Sequence, residues 1–147
     1  MNRNIFFFPL IVLLALIVLL SCGKDENNNN QVMIPNVPVN FYIQPNTIDF
    51  IPAGSWQAFD NEGYKGVLVY RLDQYTFISY EMTCSFDPDQ ECAKVTVDPN
   101  TFTLVDTCCK SRFNIIDGMP VEGPATAPLL QYFNEFDGNY LHIFNGN

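Results

Sequence analysis

Cys84, Cys92, Cys108 and Cys109 are the residues of this chain best suited to chemistry. Thiols form disulfides, bind soft metal ions or act as nucleophiles, and only the thiolate does the last two. A structural zinc site usually draws its thiolates from cysteine pairs two to four residues apart. Adjacent Cys108-Cys109 and the eight-residue step from Cys84 to Cys92 do not have that spacing. A catalytic thiol needs a base within reach. The single histidine, His142, is distant in sequence and alternates with Leu141 and Ile143, as a surface residue on a terminal strand would. Asp87, Asp89 and Glu91 resemble the start of a calcium loop, but the glycine and the closing bidentate acid are missing, so they read as a solvated acidic loop. No serine has a nucleophile-elbow context and no glycine-rich phosphate loop exists. No catalytic constellation emerges, and the chain is not expected to be an enzyme. Disulfides remain. A vicinal Cys108–Cys109 bridge would need a distorted peptide, because neighbouring Cα atoms are closer than disulfide geometry prefers. Each of the two is therefore expected to reach back to Cys84 or Cys92.

The elements that must position these thiols are strands. Val37, Val39, Phe41 and Ile43 alternate with polar or proline residues. Gly66 to Leu72 is a run typical of a buried strand, and Tyr75 to Tyr80 follows after Asp73-Gln74. Lys94 to Val97 and Thr101 to Val105 flank the turn Asp98-Pro99-Asn100. Gln131 to Phe136 and Tyr140 to Phe144 flank Asp137-Gly138-Asn139, where Asp-Gly supplies the positive φ of a tight hairpin. Trp56, the single tryptophan, is expected as a lid over the core. Short strands at regular spacing predict an all-β fold, a small antiparallel sandwich or barrel, over residues 37–147.

The N-terminus reads as an address. Arg3 precedes an apolar run from Ile5 to Leu20, broken only by Pro9 and shorter than a spanning helix usually needs. Leu19-Leu20-Ser21-Cys22 resembles a bacterial lipobox. Residues 1–21 are then a cleaved lipoprotein signal peptide, Cys22 is the site of lipid attachment, and 22–36 is a flexible polar tether. Gly23-Lys24-Asp25-Glu26 resembles the surface-export signal of Bacteroidota lipoproteins. The implied location is the cell envelope, lipid-anchored on the periplasmic or surface face of the outer membrane. An anchor of two or more acyl chains is stable. Loss of residues 1–21 removes Arg3, leaving 6 positive against 16 acidic residues and a net charge of −10. Such a chain will not seek nucleic acid or anionic lipid. An oxidising compartment favours disulfides.

The stretch from Asp106 to Tyr132 carries a resemblance. It contains Asp106-Thr107-Cys108-Cys109-Lys110-Ser111-Arg112-Phe113, then Asp117-Gly118, Gly123-Pro124-Ala125, Pro128-Leu129 and Tyr132. This order resembles the second cluster-binding box of Rieske iron–sulfur proteins, and Thr83-Cys84-Ser85-Phe86 resembles the first. A similar degenerate pattern marks Rieske-like lipoproteins of Bacteroidota. The resemblance implies the Rieske fold and places the four ligand positions of a 2Fe–2S cluster at Cys84, Phe86, Asp106 and Cys109. The family's cysteine ligand is kept only at Cys84; Phe86 and Cys109 stand where the two histidines belong, and Asp106 stands at the other cysteine. Lys110 replaces the box glycine. The resemblance also implies that Cys92 pairs with Cys108, which would leave Cys84 and Cys109 facing each other and able to form a second bridge.

The function expected from this reading is a membrane-anchored, Rieske-like domain with a structural or binding role, no cofactor and an unidentified partner. The alternatives are a periplasmic electron carrier with an atypical 2Fe–2S cluster and a surface ligand-binding lipoprotein.

Overall fold

The structure, a computed structural model, describes residues 33–146. The signal segment 1–21, Cys22 and the tether up to residue 32 lie outside the described residues. Ten strands occupy the described chain: β1 (Asn40–Ile43), β2 (Ser55–Phe59), β3 (Val67–Arg71), β4 (Phe77–Glu81), β5 (Val95–Asp98), β6 (Thr103–Asp106), β7 (Arg112–Asn114), β8 (Pro120–Glu122), β9 (Gln131–Phe136) and β10 (Leu141–Phe144). They pair antiparallel into a six-stranded sheet, β1-β10-β9-β4-β3-β2, and a four-stranded sheet, β5-β6-β7-β8. No helix among the described residues is long and apolar enough to cross a membrane.

β3 and β4 are buried along their whole length because they separate two cores. Leu68, Tyr70, Ile78 and Tyr80 meet Val95, Leu104 and Phe113 of the smaller sheet. Val67, Val69 and Phe77 turn the other way, toward Val39, Ile43, Tyr132, Leu141 and Ile143. That two-sided burial explains why the sequence there is nearly all apolar. Trp56 packs, partly buried, against the first of these cores.

The hairpins form where turn chemistry predicts them, with strand ends shifted by one or two residues. The β9–β10 loop closes through Asp137, whose Oδ1 accepts from the Asn139 and Tyr140 amides at 2.8 and 2.7 Å. In the β5–β6 loop, Asp98 Oδ1 accepts from the Asn100 amide, and the second strand begins only at Thr103 because Phe102 has a positive φ of 52°. β2, β7 and β8 are not among the strands expected from periodicity. All three lie at or near a sheet edge, and two are only three residues long.

Beyond β4 the chain leaves the large sheet and crosses to the small one. Thr83 bridges Lys94, and the Val95 amide donates to the Met82 carbonyl at 2.7 Å. Two loops, β4–β5 (residues 82–94) and β6–β7 (residues 107–111), are thereby brought side by side at one end of the smaller sheet. They carry all four cysteines of the domain.

Candidate functional site

Glu81, the last residue of β4, sets the path into the first loop. It is completely buried and accepts five hydrogen bonds. Its Oε1 takes the Lys65 amide (2.9 Å), the Thr83 amide (3.1 Å) and the Thr83 hydroxyl (2.7 Å). Its Oε2 takes the Tyr64 amide and the Tyr132 hydroxyl, each at 2.8 Å. Burial, then the hydrogen bond to Glu81, pushes the Tyr132 hydroxyl well above its ordinary pKa. Holding Thr83 at both its amide and its hydroxyl fixes the direction in which Cys84 leaves the sheet.

The second loop starts at Asp106, also completely buried, at the end of β6. Its Oδ1 accepts from the Cys108 amide at 2.7 Å, forming the turn that presents Cys108 and Cys109. The Lys110 amide donates back to the Asp106 carbonyl, and Lys110 itself has a φ of +66°. This is the position where the resemblance places a glycine. A left-handed conformation strains an L side chain by about 1–2 kcal/mol. Lys110→Gly is accordingly expected to raise the unfolding free energy by up to about 1 kcal/mol, net of glycine's larger unfolded-state entropy. Denaturant unfolding of the two forms side by side would show it; a destabilised glycine variant would mean that the lysine side chain holds the turn. Lys110 Nζ donates to the Thr107 carbonyl at 2.6 Å, the contact that would be lost.

Cys92 and Cys108 are joined by a disulfide that ties the two loops together. Cys84 and Cys109 are free thiols, the first buried and the second partly exposed, with sulfurs 3.6 Å apart. Cys109 Sγ lies 3.1 Å from Asp106 Oδ2 and 3.0 Å from Ser111 Oγ, and accepts from the Ser111 amide at 3.4 Å. Burial first, then the hydrogen bond with Asp106, pushes the Cys84 thiol far above its usual range, while the Phe86 amide acts the other way. The donor atoms of Cys84, Asp106 and Cys109 all fall within 4.8 Å of one another.

Of the four positions expected to correspond to cluster ligands, three therefore converge. The fourth, Phe86, is exposed and its ring has no lone pair to offer. His142 is elsewhere: it stacks on Tyr42 (centroids 4.2 Å) and Phe144 (4.5 Å), and its Nε2 hydrogen-bonds Asn40 Oδ1 at 2.8 Å. Sandwiched between rings, it is less exposed than a surface position implies, with 20% of its side chain accessible. Asp87, Asp89 and Glu91 are all exposed and do not join the converging group.

The residues of the box that carry no ligand atom have structural duties. Ser111 is completely buried, and its Oγ accepts the Ala125 amide at 3.0 Å. Phe113 fills the core beneath. Tyr132 reaches Glu81. Glu81 itself was not legible as a site residue, since an acid closing an apolar strand looks the same in sequence whether it faces water or a cage of donors.

This architecture resembles a Rieske-type ferredoxin domain with an incomplete Cys–Asp–Cys metal-binding site. Among solved structures, the ferredoxin of carbazole 1,9a-dioxygenase from Nocardioides aromaticivorans IC177 superposes with a TM-score of 0.51 at 19% identity, over 76% of this chain and 100% of that one. A chain of the complex of reduced oxygenase and oxidised ferredoxin in carbazole 1,9a-dioxygenase gives 0.51 at 20% identity, over 74% and 96%. No protein-family model and no curated protein sequence matches the chain.

A Rieske cluster is bound by two cysteines on one iron and two histidines on the other. The donor set here does not fit that group. It lacks both histidines, one sulfur position is a carboxylate, and one of the four positions has no donor atom at all.

Proposed function

We propose that this chain is an envelope lipoprotein, acylated at Cys22, whose Rieske-type β domain is a structural or binding module and not a 2Fe–2S electron carrier. The observation that carries this reading is the donor set of the cage. Cys84, Asp106 and Cys109, three of the four positions at which the resemblance places cluster ligands, converge, while the two histidines that a Rieske cluster needs are absent from the group and a carboxylate stands at its second cysteine position. The loops are joined by the Cys92–Cys108 disulfide, whose typical stabilisation of about 2–4 kcal/mol holds the cage without iron. The address rests on the lipobox-like Leu19-Leu20-Ser21-Cys22 and on the polar run that follows it. An acidic surface, with 16 Asp and Glu against 7 Lys and Arg, directs it away from nucleic acid.

Two experiments test the two parts. The protein purified without added iron is expected to be colourless and free of stoichiometric iron and acid-labile sulfide. A visible charge-transfer spectrum accompanied by both would overturn the non-redox assignment. For the anchor, the full chain expressed in a bacterium fed labelled palmitate is expected to take up label, and Cys22→Ser is expected to take up none. Equal labelling of the two would place any acylation elsewhere.

A further inference from the structure

We infer that Cys84, Asp106 and Cys109 form a mononuclear site for one thiophilic divalent cation of the Zn2+ type. This deepens the binding role proposed above and rests on it. Tetrahedral zinc with thiolates at about 2.3 Å holds its two sulfurs about 3.8 Å apart. The sulfurs of Cys84 and Cys109 are 3.6 Å apart, so a cation fits between them with almost no movement. A disulfide would instead require them to close to about 2.05 Å. A carboxylate oxygen at about 2.0–2.2 Å from the same ion would sit roughly 3.5 Å from each sulfur. Asp106 Oδ2 is 3.1 Å from Cys109 Sγ, and a slight opening of the turn supplies the difference.

The three donors sit at the margin of the larger hydrophobic core, with Cys84 inside it and Cys109 packed against it. Asp106 and Cys84 are completely buried, yet no Lys, Arg or His among the described residues forms an ion pair with Asp106. Glu81, equally buried, is satisfied by five donors, whereas among the described residues Asp106 Oδ2 receives no backbone N–H and faces the Cys109 thiol. The outer contacts are also in place. Asp106 Oδ1 is fixed by the Cys108 amide, leaving Oδ2 for the ion, and Cys109 Sγ accepts from the Ser111 amide. Such contacts orient ligands and tune their basicity. Cys109 is partly exposed and gives the ion a route in. On binding, the two thiols release their protons to solvent and both sulfurs donate as thiolates. With Phe86 offering no donor, the fourth position is left to water.

The test uses the full chain in detergent with Cys22→Ser, so that no thiol outside the domain contributes. Titration with Cd2+ under anaerobic conditions is expected to give a thiolate-to-metal absorption in the ultraviolet that saturates at one ion per chain. Zn2+ is expected to compete it away. Cys109→Ser should abolish the band, and Asp106→Asn should weaken binding by about ten-fold or more. Because removing a buried group can unfold the loop, a measurement on the unmutated ligands accompanies these variants: Zn2+ is expected to slow the reaction of Cys109 with a thiol reagent. Absence of both the band and the protection would overturn the site. So would recovery of a Cys84–Cys109 cystine peptide from protein isolated under thiol-trapping conditions. Either result leaves the non-redox reading standing, whereas an iron–sulfur spectrum would remove both.

Discussion

Glu81→Gln is expected to lower the unfolding free energy of the domain by about 3 kcal/mol, with a fall in Tm of about 10 °C or more. The reason is donor arithmetic. Five donors converge on the two oxygens of Glu81, three on one and two on the other. Glutamine keeps one oxygen and replaces the other by an NH2 group, which is itself a donor. Whichever way the amide is turned, at least one backbone N–H faces it. The Tyr132 hydroxyl could rotate to accept, but the Tyr64 and Lys65 amides have no such freedom. A buried donor left without a partner costs about 1–3 kcal/mol, and hydrogen bonds to a charged group are themselves worth about 1.5–3 kcal/mol. Chemical denaturation of the wild type and the variant measures the difference directly. A loss below about 0.5 kcal/mol, the range of ordinary surface substitutions, would show that the network does not hold the sheet together. Tyr132→Phe should cost less, because it removes a single donor and leaves four in place.

The second large effect is expected at Gly123. Its φ is +98°, and a Cβ there would lie 2.5 Å from Ser111 Cα and 2.9 Å from Ser111 N. The contact is with backbone, so no side-chain rotation relieves it. Ser111 is also held on both sides: its carbonyl accepts the Asp106 amide at 2.9 Å and its Oγ accepts the Ala125 amide at 3.0 Å. Gly123→Ala therefore combines left-handed strain of about 1–2 kcal/mol with an overpacking cost of about 1–3 kcal/mol. The expected total is about 3 kcal/mol. Gly138→Ala is the control that separates the two terms. It has a similar φ of +101° and nothing within 4 Å of the added carbon. It should show the conformational cost of about 1 kcal/mol alone. Equal losses at the two glycines would contradict the close approach of β8 to the second cysteine loop.

Both effects converge on the cage, since Glu81 steers the chain into Cys84 and Gly123 lets the β8 end lie against Ser111, which contacts Cys109. How far this was readable from sequence follows from the physics of each residue. β3, β4 and the β9–β10 hairpin were visible because apolar runs of strand length end in turn residues such as Asp137-Gly138. β2 was not, because Ser55 to Phe59 is half-buried on its way along a sheet edge and lacks β-branched residues. β8 begins with proline, which argues against a strand except at an edge, where it in fact lies. The convergence of Cys84, Asp106 and Cys109 could not come from spacing, since 22 residues separate the first two. It was suggested only by the resemblance to the Rieske boxes, and the geometry of the loops gives it a physical form. Glu81 was hidden altogether. Its five donors come from three separate segments, and no local pattern announces a buried carboxylate. Lys110 shows the opposite case. The position asks for glycine, the chain carries lysine, and the left-handed backbone persists.

The cage lies in a fold that resembles a Rieske-type ferredoxin domain, but its donor set of Cys84, Asp106 and Cys109 does not fit a 2Fe–2S cluster. The most direct measurement is anaerobic reconstitution of the wild-type chain with ferrous iron and sulfide, followed by desalting, metal and sulfide analysis, and visible absorption. The triple variant Phe86→His, Asp106→Cys, Cys109→His, which restores the ligand types that the resemblance implies, is carried alongside to show that the procedure loads a cluster. The wild type is predicted to retain no stoichiometric sulfide and no charge-transfer spectrum, while the variant gains both. A wild-type chain that emerges coloured, with iron and sulfide bound in equal amounts, would show that Cys84, Asp106 and Cys109 do support a two-iron cluster.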